Sequence, residues 1–254
     1  MGYTEMTIEG RNAVMEAFRS GKTIDKLYVL DGCQDGPVLS IKREAKKQDC
    51  LIKYVKKERL DQMSETGRHQ GVIAHASAYH YAEVQEILDN AKEKGEEPFL
   101  FLLDNIEDPH NLGAIIRTAN LAGAHGVIIP KNRAAGLTAA VARASAGALN
   151  YTPVAKVTNL RQTMEELKKE GIWFVCADMG GTVMYDLNLK GPIGLIIGNE
   201  GEGVGRLIKE NCDMAASIPM KGNIDSLNAS VAAGVLAYEI VRQRSGIKKY
   251  EKGN

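Results

Sequence analysis

Residues 192–206 read PIGLIIGNEGEGVGR, an apolar run that gives way to four glycines, Gly198, Gly201, Gly203 and Gly205, within eight positions. An apolar run without polar alternation is a strand buried on both faces, as in a parallel sheet covered by helices. A glycine-rich turn after such a strand usually cradles phosphate. This one carries Glu200 and Glu202, where a phosphate would call for amides, lysine and hydroxyls. The dinucleotide fingerprint fails too: its third glycine falls on Arg206 counted from Gly201, and on Ile208 counted from Gly203. The Gly-Lys-Thr at 21–23 lacks the upstream glycine of a phosphate loop and precedes a strand. Bare backbone beside carboxylates suits a neutral or cationic ligand. S-adenosylmethionine, a sulfonium, is one such ligand; glycines that merely make tight turns are the other account.

Working outward, FLFLLDN (99–105), GVIIP (126–130), WFVCAD (173–178) and MAASIPM (214–220) repeat the strand pattern. Helical periodicity runs through NLGAIIRTANLAG (111–123), LTAAVARASAGAL (137–149) and SLNASVAAGVLAYEIVRQR (226–244). The alternation predicts an α/β domain with a mostly parallel sheet, and ligands of such sheets sit at the carboxyl ends of the strands. Three loops stand at those ends: DNIEDPHNLGAIIRTA (104–119), GNEGEGVGR (198–206) and PMKGNIDSLN (219–228).

The amino-terminal part reads as a smaller α/β domain over residues 1–77. Helices are expected across GRNAVMEAFRSG (10–21) and PVLSIKREAKKQ (37–48), strands at KLYVL (26–30), LIKYV (51–55) and QGVIAHAS (70–77). Residues 78–97, with six acidic residues against two lysines, read as a helical connector, and 98–254 as the second domain. Residues 41–59 hold eight basic residues against three acidic ones. Such a run is either a solvated helix face or a patch that contacts phosphates.

Lys+Arg and Asp+Glu each number 32 in the 254 residues, so a nucleic-acid surface would have to be a local patch. Cys33, Cys50, Cys176 and Cys212 show no CxxC spacing and the five histidines do not cluster, so neither a metal site nor a disulfide framework is expected. The opening MGYTEMTIEGRNA has no apolar targeting segment and no apolar run is long enough for a membrane helix, which predicts a cytoplasmic protein.

The three loops together resemble the SpoU (TrmH-type) family of RNA ribose 2′-O-methyltransferases. Asn111-Leu-Gly113-Ala-Ile-Ile-Arg117-Thr118-Ala119 looks like the first family motif, Ile197-Gly198-Asn199-Glu200-Gly201 with Gly203 like the second, and Ile218-Pro219-Met220 through Ser226-Leu227-Asn228-Ala-Ser230 like the third. Gly10-Arg11-Asn12-Ala13-Val14 and His69-Gln70-Gly71-Val72 resemble the family's substrate-binding domain, an L30e-like fold. The two-domain form is most like the enzymes that methylate a guanosine in the peptidyl-transferase loop of 23S ribosomal RNA. The resemblance implies a deep trefoil knot, S-adenosylmethionine as cofactor, and a homodimer whose active site draws on both subunits.

By the same resemblance Arg117, Asn111, Glu200, Ser226 and Asn228 belong to the catalytic site, while Gly198, Ile218, Leu227, Asn199, Gly203 and Met220 hold the cofactor. RNA contacts are expected at Arg11, Asn12, Lys46, Lys47, Lys56, Lys57 and His69. A neutral arginine base near pH 7 costs about 7 kcal/mol against a reference pKa of ~12.5, so Arg117 reads better as a clamp on the phosphate beside the target ribose. Glu200 is expected to hold Arg117 or an amide in place, and Ser226 and Asn228 read at minimum as caps of the last helix. The competing readings are methylation of transfer RNA or of another ribosomal nucleotide, a non-catalytic RNA-binding module, and a nucleotide-dependent dehydrogenase, which the failed fingerprint disfavours.

Overall fold

The computed structural model describes residues 6–77, 79–224 and 226–245; residues 1–5, Ala78, Asp225 and 246–254 lie outside the described set. The chain divides into two units, Met1–His80 with Gly136–Ala139 and Tyr81–Ala135 with Ala140–Asn254.

The first unit runs β1 (Met6–Glu9), α1 (Arg11–Arg19), β2 (Ile24–Leu30), α2 (Gly36–Lys47), β3 (Leu51–Val55), α3 (Lys57–Met63) and β4 (Val72–Ala76). Its sheet has the order β1-β4-β2-β3, with β2 and β3 parallel and β4 antiparallel to both its neighbours. Val14, Ala17 and Phe18 put one face of α1 into the core, as their spacing requires. Asp35 caps α2 by accepting from Val38 N at 3.1 Å, with Pro37 just inside the helix. Val38, Ile41 and Ala45 then pack against Leu27, Val29, Val72 and Ala74. That orientation leaves Arg43, Lys46 and Lys47 on the solvent side. Strand β1 and helix α3 were not anticipated from the sequence.

The second unit runs α4 (Val84–Lys94), β5 (Phe99–Leu103), α5 (Pro109–Leu121), β6 (Gly126–Pro130), α6 (Ala139–Ala144), β7 (Val154–Val157), α7 (Leu160–Lys169), β8 (Trp173–Val183), β9 (Ile193–Ile197), α8 (Arg206–Lys209), β10 (Met214–Ser217) and α9 (Ala229–Ser245). Six strands lie in the order β10-β8-β9-β5-β6-β7 and every pairing is parallel. The central strands β5 and β9 are buried along their whole length, the reason both sequences are apolar without alternation.

The segment expected as a connector, 78–97, contributes α4. Val84, Ile87, Leu88 and Ala91 recur at helical spacing, and Ile87 and Ala91 are buried. Ile87 packs in one cluster with Leu100, Leu102, Ile128, Met164 and Phe174. Its acidic residues lie on the opposite face, so α4 is a layer of the second unit, not a tether. Helix α7, also unanticipated, buries Leu160, Met164 and Leu167 under an Asn159 cap that accepts from Gln162 N at 3.1 Å.

Strand β8 departs most from expectation. It pairs with β10 at Cys176↔Ala215, then resumes at Thr182↔Ala216, so residues 177–181 bulge from the ladder. A bulge re-aims the strand next to a site, and here Ala177, Asp178 and Met179 become the wall of a cavity.

Candidate active site

The glycine loop after β9 is organised by its own backbone and by Asn199. The Asn199 side-chain oxygen accepts from Gly201 N at 3.0 Å and from Glu202 N at 2.7 Å, while its carbonyl accepts from Gly203 N at 3.0 Å. Gly203 lies at φ +67°, a left-handed conformation that glycine adopts without strain. The loop then folds back on Gly198, where a Cβ would strike the backbone of Gly203 and Val204. Asp104, just past β5, accepts from Gly205 N at 2.8 Å and ties the far end of the loop to the neighbouring strand.

This loop points Glu200 at the starts of two helices. Its Oε1 accepts from Asn111 Nδ2 at 2.6 Å, from Asn228 Nδ2 at 2.8 Å and from Ala229 N at 3.3 Å. Asn228 Nδ2 also donates to Asn111 Oδ1 at 3.0 Å. Asn111 sits in the first turn of α5 and Asn228 directly precedes α9, so the carboxylate lies where both helix dipoles favour negative charge. Asn228 Oδ1 accepts from Ser230 N at 3.0 Å and from Ser230 Oγ at 2.6 Å, capping α9. Among the described residues Ser226 makes no such bond, and it lines the cavity.

The cavity, about 230 Å³, opens at the carboxyl ends of β8, β9 and β10. All six residues expected to hold the cofactor, Gly198, Asn199, Gly203, Ile218, Met220 and Leu227, line it, as do Glu200 and Ser226. Asn111 and Asn228 join it through Glu200. Arg117 does not: it is exposed on α5, lies outside this cavity's wall and has no hydrogen bond or ion pair among the described residues. It lies six positions after Asn111, which turns it well away on the helix. Of the alternatives expected for Glu200, it is therefore the amides that it holds.

Two cavity residues escaped the sequence. Asp178 accepts from Gly180 N at 3.0 Å, and its other oxygen lies against the Lys209 ammonium. Both line the cavity. The Gly180-Gly181 pair was the available signal, since paired glycines in a strand mark a bulge. A second cavity of about 580 Å³ shares the wall Asn199–Glu202 and adds Asn105, Glu107, Asp108 and Arg133.

The residues present fit S-adenosylmethionine. Ile218 and Leu227 supply apolar surface for a flat adenosine beside the glycine loop, which doubles back on Gly198 too closely for any Cβ. Asp178, Glu200 and Glu202 line the cavity with carboxylates, of which only Asp178 is offset by the Lys209 ammonium, and such a lining would favour a cationic sulfonium. Among the described residues no group of three or more His, Cys, Asp or Glu side chains is placed to hold a metal ion.

The RNA-contact residues expected in the first unit fare differently. Lys46, Lys47, Lys56 and Lys57 are exposed, Lys47 paired with Glu44 at 2.7 Å, and Asn12 is exposed at the start of α1. Arg11 is engaged, donating through Nε to Gln70 O at 3.0 Å and through Nη2 to Asp35 Oδ2 at 2.6 Å. His69 is a correction: it is buried, its Nδ1 accepts from Gly71 N at 3.0 Å and its Nε2 bonds Asp61 at 3.0 Å. With both ring nitrogens used, His69 holds the turn before β4 and has no edge for RNA.

The profile of the SpoU rRNA Methylase family matches residues 98–238, and that described as RNA 2′-O ribose methyltransferase substrate binding matches residues 7–82. YacO of Bacillus subtilis (strain 168), named for the TrmH family of tRNA/rRNA methyltransferases, is 49% identical over 240 residues, covering 94% of this chain and 96% of its own. A protein of Staphylococcus haemolyticus (strain JCSC1435) named for the same family is 42% identical over 241 residues, covering 94% and 96%. Among solved structures, the SpoU methyltransferase AviRb from Streptomyces viridochromogenes, in complex with AdoMet, superposes with a TM-score of 0.60 at 26% identity, over 95% of this chain and 91% of that one.

Proposed function

The chain belongs to the SpoU rRNA methylase family, and from that premise we propose that its target is a guanosine in the peptidyl-transferase loop of 23S ribosomal RNA, methylated in the cytoplasm by a homodimer. The enzyme is an S-adenosylmethionine-dependent RNA 2′-O-methyltransferase. The observation that carries the catalytic reading is the Asn111–Glu200–Asn228 network, which joins three segments distant in sequence at the rim of the cavity.

S-adenosylmethionine supplies the methyl group and its sulfonium the leaving group. Gly198, Ile218 and Leu227 bind the adenosine side through backbone and apolar contact, with Asn199, Gly203 and Met220 beside them. Glu200 fixes the two asparagine amides, and Asn111 and Asn228 hold the rim against which the ribose is placed. Positioning of this kind is worth up to about 7–11 kcal/mol in the best intramolecular cases. Arg117 grips the phosphate next to the target ribose and orients the 2′-hydroxyl, whose proton passes to phosphate or water.

The dimer answers where Arg117 acts. Within one chain it stands apart from the cavity, so the partner subunit's Arg117 completes the site. Helix α9 supports this: it buries Ala233, Leu236, Ala237 and Ile240, yet also exposes Val231 and Tyr238, seven residues apart on one face. Leu121, at the end of α5, is exposed as well. A helix apolar on more than one side calls for a second covering surface.

In the first unit the exposed Lys46, Lys47, Lys56 and Lys57, with Lys42 stacked over Tyr54 at 4.9 Å, supply a local basic surface for RNA phosphates despite zero net charge. Mapping 2′-O-methylated positions in total RNA from cells with and without the gene tests the target. Loss of one methylguanosine in the peptidyl-transferase loop is expected; loss of a transfer-RNA mark instead would replace this target with the competing one.

A further inference from the structure

Glu107 and Arg133 both line the cavity of about 580 Å³ that shares the Asn199–Glu202 wall with the cofactor cavity. Neither has a hydrogen bond or ion pair among the described residues. Of the other carboxylates on its wall, Asp108 accepts from His110 N at 2.9 Å and Glu200 holds the asparagine amides, while Glu202 lies on the side shared with the cofactor cavity. A methyl donor in one cavity requires an acceptor beside it, and the volume lies within the ~300–1,000 Å³ range of small-molecule sites.

A free carboxylate and a free guanidinium lining one cavity select among bases. A carboxylate accepts two N–H groups side by side. Among the four RNA bases only guanine presents such a pair, N1–H and N2–H. Guanine's O6 and N7, on its other edge, take both arms of an arginine fork. Adenine and cytosine set one amino group beside a bare ring nitrogen, whose lone pair a carboxylate repels. Uracil has one N–H between two carbonyls. We propose that this cavity seats the base of the target nucleotide and selects guanine, with Glu107 accepting from N1–H and N2–H and Arg133 donating to O6 and N7. The proposal rests on the methyltransfer to guanosine proposed above and adds the residues that choose the base.

The test uses the full-length protein and transcripts of the 23S peptidyl-transferase hairpin carrying guanosine or inosine, which lacks the N2 amino group, at the target. For the wild type, inosine should lower kcat/KM roughly tenfold or more, the cost of a lost bond to a charged partner. Glu107→Gln should slow guanosine and bring the two substrates within about threefold of each other, with S-adenosylhomocysteine affinity unchanged within about twofold. Equal wild-type rates on both RNAs would overturn the guanine cavity and leave the methyltransferase reading standing. If neither RNA is methylated, it is the proposed target that fails. Binding of guanosine versus inosine 5′-monophosphate, with S-adenosylhomocysteine present, then decides the cavity: preference for guanosine supports it, and equal or absent binding overturns it.

Discussion

Asn111 Nδ2 donates to Glu200 Oε1 at 2.6 Å across 89 positions of sequence. The bond joins the first turn of α5 to the glycine loop after β9, and the same oxygen accepts from Asn228 and Ala229 at α9. Glu200→Ala would strand these donors, and a polar group left without its partner costs about 1–3 kcal/mol. Urea unfolding of Glu200→Ala should show a loss in that range, reduced toward its low end because the carboxylate is partly solvated, together with a fall in methyl transfer of tenfold or more. Glu200→Gln, which keeps an accepting oxygen, should lose less stability. Equal stability of wild type and Glu200→Ala would mean that the network is not holding the loops.

Arg117 presents the opposite case, exposed and free of partners among the described residues. Arg117→Ala should therefore leave stability within about 0.5 kcal/mol, leave cofactor affinity within a few-fold, and collapse the methylation rate. Arg117→Lys should fail nearly as badly, because a point charge does not replace a planar fork. If the proposed dimer shares its sites, mixing Arg117→Ala subunits with Gly198→Val subunits should restore part of the activity, since a mixed pair would hold one site with an intact pocket and an intact arginine. No recovery on mixing would argue against a shared site.

Gly198 is restricted by space. A Cβ there meets the backbone of Gly203 and Val204, so Gly198→Val must open the loop as well as block the cavity. Cofactor binding measured by calorimetry should be lost. Amide exchange should rise in residues 198–206 while the first unit stays protected. The close approach makes local unfolding of the loop the expected outcome.

His125 carries a pH dependence. It is buried, accepts from Phe99 N through Nδ1 at 3.0 Å and bonds Glu96 through Nε2 at 3.1 Å. Burial pulls its pKa below the ordinary histidine value, outweighing the upward pull of Glu96. A lowered folded-state pKa means that the native state favours the neutral ring. Its contribution is complete above the unfolded value of ~6.5 and is lost as pH falls from there toward the folded value. Denaturation midpoints should drop between about pH 7 and pH 5, and His125→Gln should flatten that part of the profile. An equally steep decline in the variant would assign it to other groups.

The basic surface of the first unit yields a salt test. Replacing Lys46, Lys47, Lys56 and Lys57 with Gln should weaken RNA binding and flatten its salt dependence, because each phosphate contact releases counterions. Cofactor binding should not change, since the cavity is built from residues beyond 176. An unchanged salt slope would return the cluster to a solvated helix face.

The sequence by itself determined the parallel sheet, because strands buried on both faces must be apolar throughout, and FLFLL and IGLII are. It also determined which loops meet, through motifs at Asn111, Glu200 and Asn228. The helix at Leu160–Lys169 was not anticipated, although Leu160, Met164 and Leu167 keep helical spacing. Tertiary structure decided what each polar side chain does. Whether Glu200 holds an arginine or two amides depends on which helix starts the loop reaches, and periodicity does not encode that. His69 stands among motif residues yet serves the turn, because Asp61 and Gly71 N lie within hydrogen-bonding reach of its ring. The bulge at 177–181 turns a strand into a cavity wall only because β10 resumes pairing at Thr182. A side chain's partners come from segments far along the chain, and only the packed fold sets those distances.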